Sequence, residues 1–345
     1  MSQDDMSAVI LRKPDAMQWI RGLLASYRVV APMSEGDGPV RYRPLASGEA
    51  VVLAGRRPLR ASKEHFLPQI EPLLTFQGSG KTLAIQPPAT RESATVILGV
   101  RPCDARALAS LDDVFLGRKD TDAVYQARRR ATLLVGLACA TSSWGCFCTS
   151  VGGSPAGTEG FDLLLTDLGD HYHVIVLSEA GQKLVADPVF GPATEADAAA
   201  SKERHAAAIA RMPALFDAEV IAGKVEWESP VWMRHARRCL ACGACSFLCP
   251  TCHCFDIQDE VTADGGVRFR CWDTCQFGEF TRMGAGHNPR PTQMERLRQR
   301  VSHKFKYLVE EFGRMGCTGC GRCVEACPVN VDIRSVLSEI AGDGR

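Results

Sequence analysis

The sequence predicts a two-domain chain: an α/β amino-terminal domain with a partly parallel sheet over residues 1–225, then an all-helical domain over residues 226–345. Three observations predict this fold class. Residues 94–139 have the pattern of a buried strand, a helix and a second buried strand, which is the unit of a parallel sheet. Residues 194–216 are alanine-rich and helical in pattern, as expected of a connection. The remainder repeats one cysteine motif around an insert with a strong helix signal.

The composition excludes several classes of partner. In 345 residues, 40 Lys and Arg balance 40 Asp and Glu, so no net field attracts nucleic acid or an anionic membrane. The longest apolar runs have the length of strands, which predicts no membrane span. The first residues carry acids where a signal peptide needs a basic start, so we expect a cytoplasmic location. Sixteen cysteines in such a chain indicate metal or redox chemistry rather than disulfides.

The first part of the chain predicts a helix, two strands and a second helix. Apolar residues at steps of three and four over residues 14–27 predict an amphipathic helix. The short apolar runs 40–46 and 49–55 predict strands, and residues 66–74 again have helical spacing. The GSGKT segment resembles a phosphate-binding loop, but Thr75 stands where the motif needs glycine, so a turn is favoured.

Four cysteines follow the central strands. The strands predicted at 94–100 and 131–139 flank a helix at 105–116, for which Asp104 is a candidate N-cap. Parallel strands end at one sheet edge, where α/β proteins bind ligands, so these cysteines are expected to converge. They form the Cys103 group: Cys103, Cys139, Cys146 and Cys148. This group is a candidate metal site; alternatively, the first two are small buried hydrophobic residues and the other two are incidental.

The segment that leads to the second domain predicts a hairpin and a helix. Residues 161–178 have strand patterns around a glycine-containing turn, which indicates the hairpin. The glycine-rich stretch before it lacks the strand-loop-helix context of a phosphate site, so a loop is favoured. The helix predicted at 194–216 then leads into the carboxy-terminal domain.

Two copies of one cysteine pattern, C-x2-C-x2-C-x3-C-P, lie in the second predicted domain. This spacing is typical of [4Fe-4S] sites in which three thiolates hold one cluster and the fourth ligates its neighbour. The predicted ligands of cluster 1 are Cys239, Cys242, Cys245 and Cys327. The predicted ligands of cluster 2 are Cys317, Cys320, Cys323 and Cys249. Zinc sites use pairs with a longer gap, so we expect two [4Fe-4S] clusters, with the Cys103 group as a candidate third.

The insert between the two copies predicts a helix. Thr292 and Glu295 form a capping box, an apolar stripe follows, and Gly313 is placed for a C-cap. Clusters held on helices and joined by a helix predict an all-helical ferredoxin domain. The same helix carries five basic residues, which predict either a docking face for an acidic partner or an ordinary solvated face: Arg296, Arg298, Arg300, Lys304 and Lys306.

The remaining cysteines lie in the PTCHCFD and RCWDTCQF segments and form the Cys252 group: Cys252, Cys254, Cys271 and Cys275. Their C-x-C and C-x3-C spacings are unspecific. They could hold another cluster or a zinc ion, form a redox-active thiol pair, or pack around the first cluster.

Several segments, in order along the chain, resemble one protein family. They include GVRPCDARAL, CPTCHCFD, CWDTCQFGEFTRMGAGHNPR, HKFKY and GCGRCVEACP. The chain is similar to the iron–sulfur beta subunit of soluble sulfhydrogenases, which are NAD(P)-linked nickel–iron hydrogenases, and to the related iron–sulfur subunit of anaerobic sulfite reductases. The resemblance implies partners: a flavin subunit that handles NAD(P)H and a catalytic subunit that handles hydrogen or sulfite. Cys271 departs from the residue expected before the Trp-Asp pair, which argues against a metal site there.

These patterns lead to one functional hypothesis and an alternative. We predict an electron-transfer iron–sulfur subunit of a cytoplasmic multi-subunit oxidoreductase, without a substrate site of its own. The sequence carries no convincing nucleotide loop, catalytic triad or flavin fingerprint. The alternative is a reductase in which the Cys103 group or the Cys252 group itself reduces a sulfur compound or a disulfide.

Overall fold

The computed structural model of the chain describes residues 7–342 apart from 35, 47–50, 56, 79 and 88–92. The strands are β1 (Ala8–Arg12), β2 (Arg28–Met33), β3 (Arg41–Pro44), β4 (Ile70–Gln77), β5 (Ala84–Gln86), β6 (Thr95–Val100), β7 (Thr132–Leu137), β8 (Leu163–Asp167), β9 (His171–Val176), β10 (Phe190–Pro192), β11 (Phe255–Thr262) and β12 (Gly265–Trp272). The α-helices are α1 (Lys13–Leu23), α2 (Pro102–Phe115), α3 (Ala123–Arg130), α4 (Glu179–Leu184), α5 (Glu195–Ala210), α6 (Ala218–Lys224), α7 (Val231–Ala236), α8 (Ala244–Phe247), α9 (Gln293–Ser302), α10 (Leu308–Phe312), α11 (Arg322–Glu325) and α12 (Ile333–Ala341). A π-helical turn, His303–Tyr307, joins α9 to α10.

In the described part of the chain, eight strands form one mixed sheet in the order β10-β1-β9-β8-β7-β6-β2-β3. The neighbours β2, β6, β7 and β8 run parallel, whereas the other pairs are antiparallel. The partly parallel sheet predicted for the amino-terminal part is therefore confirmed. The predicted hairpin is also confirmed, since β8 and β9 pair across a short turn.

Side chains of the central strands are buried on both faces of this sheet. Val96 and Leu98 of β6 pack in the core that contains Ile20 of α1. Ile97, between them, packs in the core that contains Leu108 of α2. Successive side chains of a strand point to opposite faces, so a strand covered on both sides reads as one continuous apolar run.

Two local predictions for the amino-terminal part are wrong. Residues 66–74 form no helix: a single 3-10 turn, Ser62–His65, precedes them, and strand β4 begins at Ile70. The prolines at 68 and 72 disfavour helix there, and β4 finds its partner far along the chain. The strand predicted at 49–55 is absent from residues 51–55, its described part. Ser79 of the GSGKT segment lies outside the described residues; Gly80–Thr82 form a 3-10 turn.

The predicted all-helical ferredoxin domain is wrong. Strands β11 and β12 form a hairpin between the two cysteine motifs, and β12 pairs with β4 in a second, antiparallel sheet, β11-β12-β4-β5. The helices that follow the cysteine loops, α8 and α11, are single turns. The insert helix itself is confirmed, with its Thr292–Glu295 capping box and Gly313 at the end of α10.

The second sheet joins β4, before residue 225, to β11 and β12, after it. The domain boundary predicted at residue 225 stays a prediction. At the centre of this sheet Arg270 of β12 donates from Nε to Glu71 Oε2 of β4 over 2.5 Å, and both side chains are buried. Arg128 of α3 also pairs with Glu71. Within the described ranges, no helix has the length and apolar character needed to cross a bilayer.

A separate core lies beneath the cysteine loops. Trp232 of α7, Val301 of α9, Phe305 of the π-helical turn and Leu337 of α12 are buried together. Phe147, from the C-F-C segment of the amino-terminal part, belongs to the same core. The Cys103 group is therefore held against the cysteine loops of the carboxy-terminal part.

Candidate metal centres

The two C-x2-C-x2-C loops adopt the same backbone conformation. Ala241 and Gly243 of the first loop have φ values of 53° and 74°, and the corresponding Gly319 and Gly321 have 64° and 77°. In each loop a left-handed residue stands directly before and directly after the second cysteine, and these two residues curl the loop around its own centre. Each loop then enters a one-turn helix that carries the third cysteine. Ala241 adopts a left-handed backbone conformation, which is unfavourable for residues other than glycine.

The first cavity lies inside the first loop. It is lined by the four predicted ligands of cluster 1 and by Cys323 of the second motif: Cys239, Cys242, Cys245 and Cys327. Backbone N–H groups point at these sulfurs, since Ala241 donates to Cys239 Sγ at 3.4 Å and Val331 donates to Cys327 Sγ at 3.1 Å. The structure thus brings Cys327 to the first motif, as the crossed pattern predicts.

The second cavity lies inside the second loop. It is lined by the four predicted ligands of cluster 2: Cys249, Cys317, Cys320 and Cys323. Cys323 also lines the first cavity, so the two cavities are neighbours. All sixteen cysteines are free of disulfides. No group of three or more His, Cys, Asp or Glu among the described residues meets at a point that could hold a single ion.

Two buried cations test whether an anionic cluster fits these cavities. Lys304 donates from Nζ to Cys249 Sγ at 3.3 Å, to Thr251 Oγ1 at 2.7 Å and to the Gly316 carbonyl at 2.8 Å. Arg300 donates to Cys252 Sγ at 3.3 Å and to the Cys245 carbonyl at 2.9 Å. Both side chains are about 4 % exposed, and no carboxylate of the described chain pairs with either.

A buried charge without a counter-charge costs several kcal/mol or more, so these cations need an anion beside them. Thiolates that bind an iron–sulfur cluster carry that negative charge. Burial lowers the pKa of Lys304, but the thiolates of Cys249 and Cys252 raise it by a larger amount, so the net shift of this pKa is upward. The donor set and its surroundings therefore fit two [4Fe-4S] clusters.

The four residues of the Cys103 group line a third cavity of about 1000 Å³. Cys103 lies in the first turn of α2, and Cys139 follows β7, so both stand at the edge where these parallel strands end. Cys320 of the second motif lines this cavity as well as the second one. The structure therefore brings the four predicted residues together beside the predicted ligands of cluster 2.

The third cavity touches the second loop through a very close backbone approach. The N–H of Phe147 donates to the Gly319 carbonyl at 2.8 Å, and Cys146 Sγ lies 3.6 Å from the Cys320 carbonyl. A Cβ atom on Gly319 would lie 2.5 Å from the Cα of Cys148. Glycine is therefore required here by contact as well as by its positive φ.

Positive charge also borders the third cavity. Arg57 donates to the Cys320 carbonyl at 2.9 Å and pairs with Glu325 at 2.8 Å. Arg101, which is buried, donates to the carbonyls of Gly55 and Ala138. Burial raises the pKa of the Cys103 and Cys139 thiols, and it raises that of Cys148 to about 12. Without a metal these thiols are neutral; with one, the two guanidinium groups offset the thiolate charge.

A buried ion pair joins the second motif to the third cavity. Arg322, which follows Gly321, donates to both carboxylate oxygens of Asp104 at 2.5 and 2.8 Å. Asp104 is thus not the N-cap of α2, a position that Arg101 occupies. Arg322 also donates to the carbonyls of Pro58 and Leu59. The sequence carries no local signal for this pair, because the two residues are far apart in the chain.

The Cys252 group does not converge. Cys254 and Cys275 are neighbours, and the hydrogen bond between them lowers the pKa of Cys275 to about 6. Cys252 instead contacts Cys249, whose pKa it lowers by a hydrogen bond. Cys271 is opposite Asp256 in the β11–β12 hairpin, and among the described residues no three of these cysteines are placed to hold a metal ion. This arrangement favours packing or a thiol pair over a four-cysteine site.

Both interpretations of the basic helix are wrong for four of its five residues, because Arg296, Arg298, Arg300 and Lys304 are buried. Arg298 lies over the Trp227 ring, 3.5 Å from its centroid, and Arg296 caps the preceding loop carbonyls. The only sequence signal for burial was the position of Arg300 and Lys304 in the apolar stripe, one turn from Leu297 and Val301. Lys63 is a further buried cation, bound to the Cys252 carbonyl at 2.7 Å.

Comparisons with known proteins agree with the cysteine geometry. Residues 238–331 match the model of a 4Fe-4S dicluster domain. Sulfhydrogenase 2 subunit beta of Pyrococcus furiosus is 34% identical over 250 residues, which cover 71% of this chain and 73% of that subunit. No solved structure matches the chain. With this identity over most of both proteins, the chain belongs to the family of sulfhydrogenase beta subunits.

Proposed function

We propose that the chain is an electron-transfer subunit of a multi-subunit oxidoreductase, linking a flavin subunit that handles NAD(P)H to a nickel–iron hydrogenase or sulfite reductase subunit. The observation that carries this proposal is a row of three cysteine-lined cavities. Cys323 lines the first and second cavities, and Cys320 lines the second and third. A [4Fe-4S] cluster, when bound, accepts and returns one electron. Cysteines shared between neighbouring cavities show that the three cavities adjoin one another, which supports a role in electron transfer.

Both ends of the row are open, as a relay between two partners requires. At the first cavity Cys242 is exposed, and its neighbour Leu240 is 62% exposed. At the third cavity Trp144 is 65% exposed and lies beside Arg334. Exposed large apolar side chains next to a redox site are typical of protein interfaces. In the middle cavity three of the four cysteines are buried: Cys249, Cys317 and Cys320.

The reactivity of the isolated chain tests this function. The anaerobically purified chain is expected to bleach with dithionite and to stay oxidised with NADPH or NADH, because its sequence carries no flavin fingerprint. Visible absorbance and EPR spectra report the result. The same chain stripped of iron serves as the control and is expected to show no bleaching. Reduction of the single chain by NADPH would contradict the proposal.

We further propose that the Cys103 group binds a third [4Fe-4S] cluster. Each such cluster adds about four iron and four sulfide ions, so the wild-type chain is expected to contain about twelve of each. A Cys146→Ser/Cys148→Ser chain is expected to contain about eight and to lose one EPR signal. Cys271→Ser, outside all three cavities, is the matched control and is expected to keep all twelve. About eight iron ions in the wild type would contradict the proposal of a third cluster.

The same variant separates the relay from the alternative reductase function. The third cavity, with its volume of about 1000 Å³ and two bordering guanidinium groups, has room for an anionic sulfur substrate. If the Cys103 group performs catalysis, the double variant keeps its iron content and loses turnover of a sulfur compound. If the group is part of the relay, iron and electron throughput fall together.

A further inference from the structure

The first and second cavities differ in their electrostatic surroundings. Apart from the cysteines, the first is lined mainly by apolar side chains such as Leu297 and Val331. The second is lined by Lys304, which lies in the π-helical turn and has its ammonium group against Cys249 Sγ. Arg300 lines both cavities and cannot distinguish them. Lys304 is therefore the cation that belongs to the second cavity and not to the first.

The position of this ammonium group is fixed rather than adjustable. Thr251 Oγ1, the Gly316 carbonyl and Cys249 Sγ take its three N–H groups, at 2.7, 2.8 and 3.3 Å. The threonine hydroxyl in turn donates to the same Gly316 carbonyl and lies 3.2 Å from Cys249 Sγ. Lys304 is buried, so water screens its charge only weakly. π-helical turns are uncommon and are frequently found at functional sites.

A fixed cation beside a ligand sulfur changes the redox equilibrium in one direction. Reduction adds one electron to the cluster that the four cysteines hold, so the reduced site is more negative. A nearby positive charge and an N–H donated to sulfur stabilise the more negative state. The proton stays on Lys304 throughout, and no bond is broken at the lysine or at the cysteine.

We propose that Lys304 raises the reduction potential of the second cavity's cluster above that of the first, so that of these two clusters the second holds the electron. This inference rests on the proposed electron-transfer function. In this inference Lys304 is a positioning residue: it holds a positive charge beside Cys249, a predicted ligand of the second cluster, and acts on the cluster through that sulfur. An electron that reaches either ferredoxin-type cluster then resides mainly on the second one.

EPR-monitored redox titration of four chains tests the inference. The wild type is expected to show two ferredoxin-type midpoints. Lys304→Met, which keeps an unbranched side chain only one atom shorter and removes its charge, is expected to lower the higher midpoint by at least a tenfold change in the reduction equilibrium, about 59 mV for one electron. Lys304→Arg keeps the charge and is expected to keep most of the separation. Lys306→Met, two residues away and outside both cavities, is the matched control.

A Cys239→Ser chain, which lacks a ligand of the first cluster, shows which midpoint belongs to the second. Its remaining ferredoxin cluster is expected to titrate at the higher wild-type midpoint. An unmoved midpoint in Lys304→Met, or an equal shift in Lys306→Met, overturns the inference. If Lys304→Met fails to assemble its cluster, the Cys239→Ser titration decides: the lower midpoint there overturns it. A wild type that dithionite does not reduce contradicts the proposed function itself.

Discussion

Replacing Asp104 with asparagine is expected to lower the free energy of unfolding by about 3–5 kcal/mol, the usual cost of removing one partner from a buried ion pair. Asp104 and Arg322 are both about 1 % exposed, and two hydrogen bonds join them. The variant keeps the shape of the side chain and removes its charge. The guanidinium group of Arg322 then remains buried among carbonyls without its carboxylate partner.

Anaerobic urea unfolding of the cluster-loaded chain, followed by circular dichroism, measures this effect. Asp259 and Arg268 are the matched control, because they form a similar bidentate pair at 2.7 Å on the surface of the β11–β12 hairpin. Asp259→Asn is expected to leave the unfolding midpoint nearly unchanged, since exposed pairs contribute little. An Asp104→Asn/Arg322→Met chain is expected to recover part of the loss. Equal effects at the two pairs would contradict the assignment.

The ion pair also predicts the order in which the three cavities lose their iron when the chain is unfolded. Arg322 follows Gly321, which contacts the Cys146 backbone, and it lies two residues after Cys320, which lines the second and third cavities but not the first. Loosening Arg322 is therefore expected to release iron from the second and third cavities at lower urea than from the first. Cluster absorbance and released iron, measured during the same titration, report this order.

The parallel part of the fold could be predicted because its signals are local. Residues 94–100 and 131–139 are continuous apolar runs with a helix between them, and such a unit has one favoured arrangement. The second sheet is different, because β4 pairs with β12 nearly two hundred residues later. The sequence around β4 has apolar residues at helical spacing, at Phe66, Ile70, Leu73 and Leu74, and its partner strand cannot be recognised from the local sequence. An available signal, the Asp264-Gly265 dipeptide between two strand-like runs, indicates a hairpin, and in the structure the turn residues are Ala263 and Asp264.

The site could be predicted only where spacing encodes it. Cysteine spacing indicates the ligand sets, and strand order indicates that the Cys103 group converges. The buried cations were missed, because Lys and Arg are rarely buried unless an anion accompanies them. Lys304 and Arg300 look like members of a solvated helix face as long as the clusters beside them are ignored.

The crossed ligand pattern gives the last prediction, with the loss of a whole cluster as its expected effect. Cys327→Ala is expected to remove about four iron ions and the same EPR signal as Cys239→Ala, although the two residues belong to different motifs. Both sulfurs line the first cavity. Cys249→Ala is expected to remove instead the signal that Cys317→Ala removes, because both line the second cavity. If each motif instead holds its own cluster, Cys327→Ala would remove the signal of Cys317→Ala. A cluster bound across two motifs also closes the long loop between them, so either crossed variant is expected to make residues 250–316 more accessible to protease.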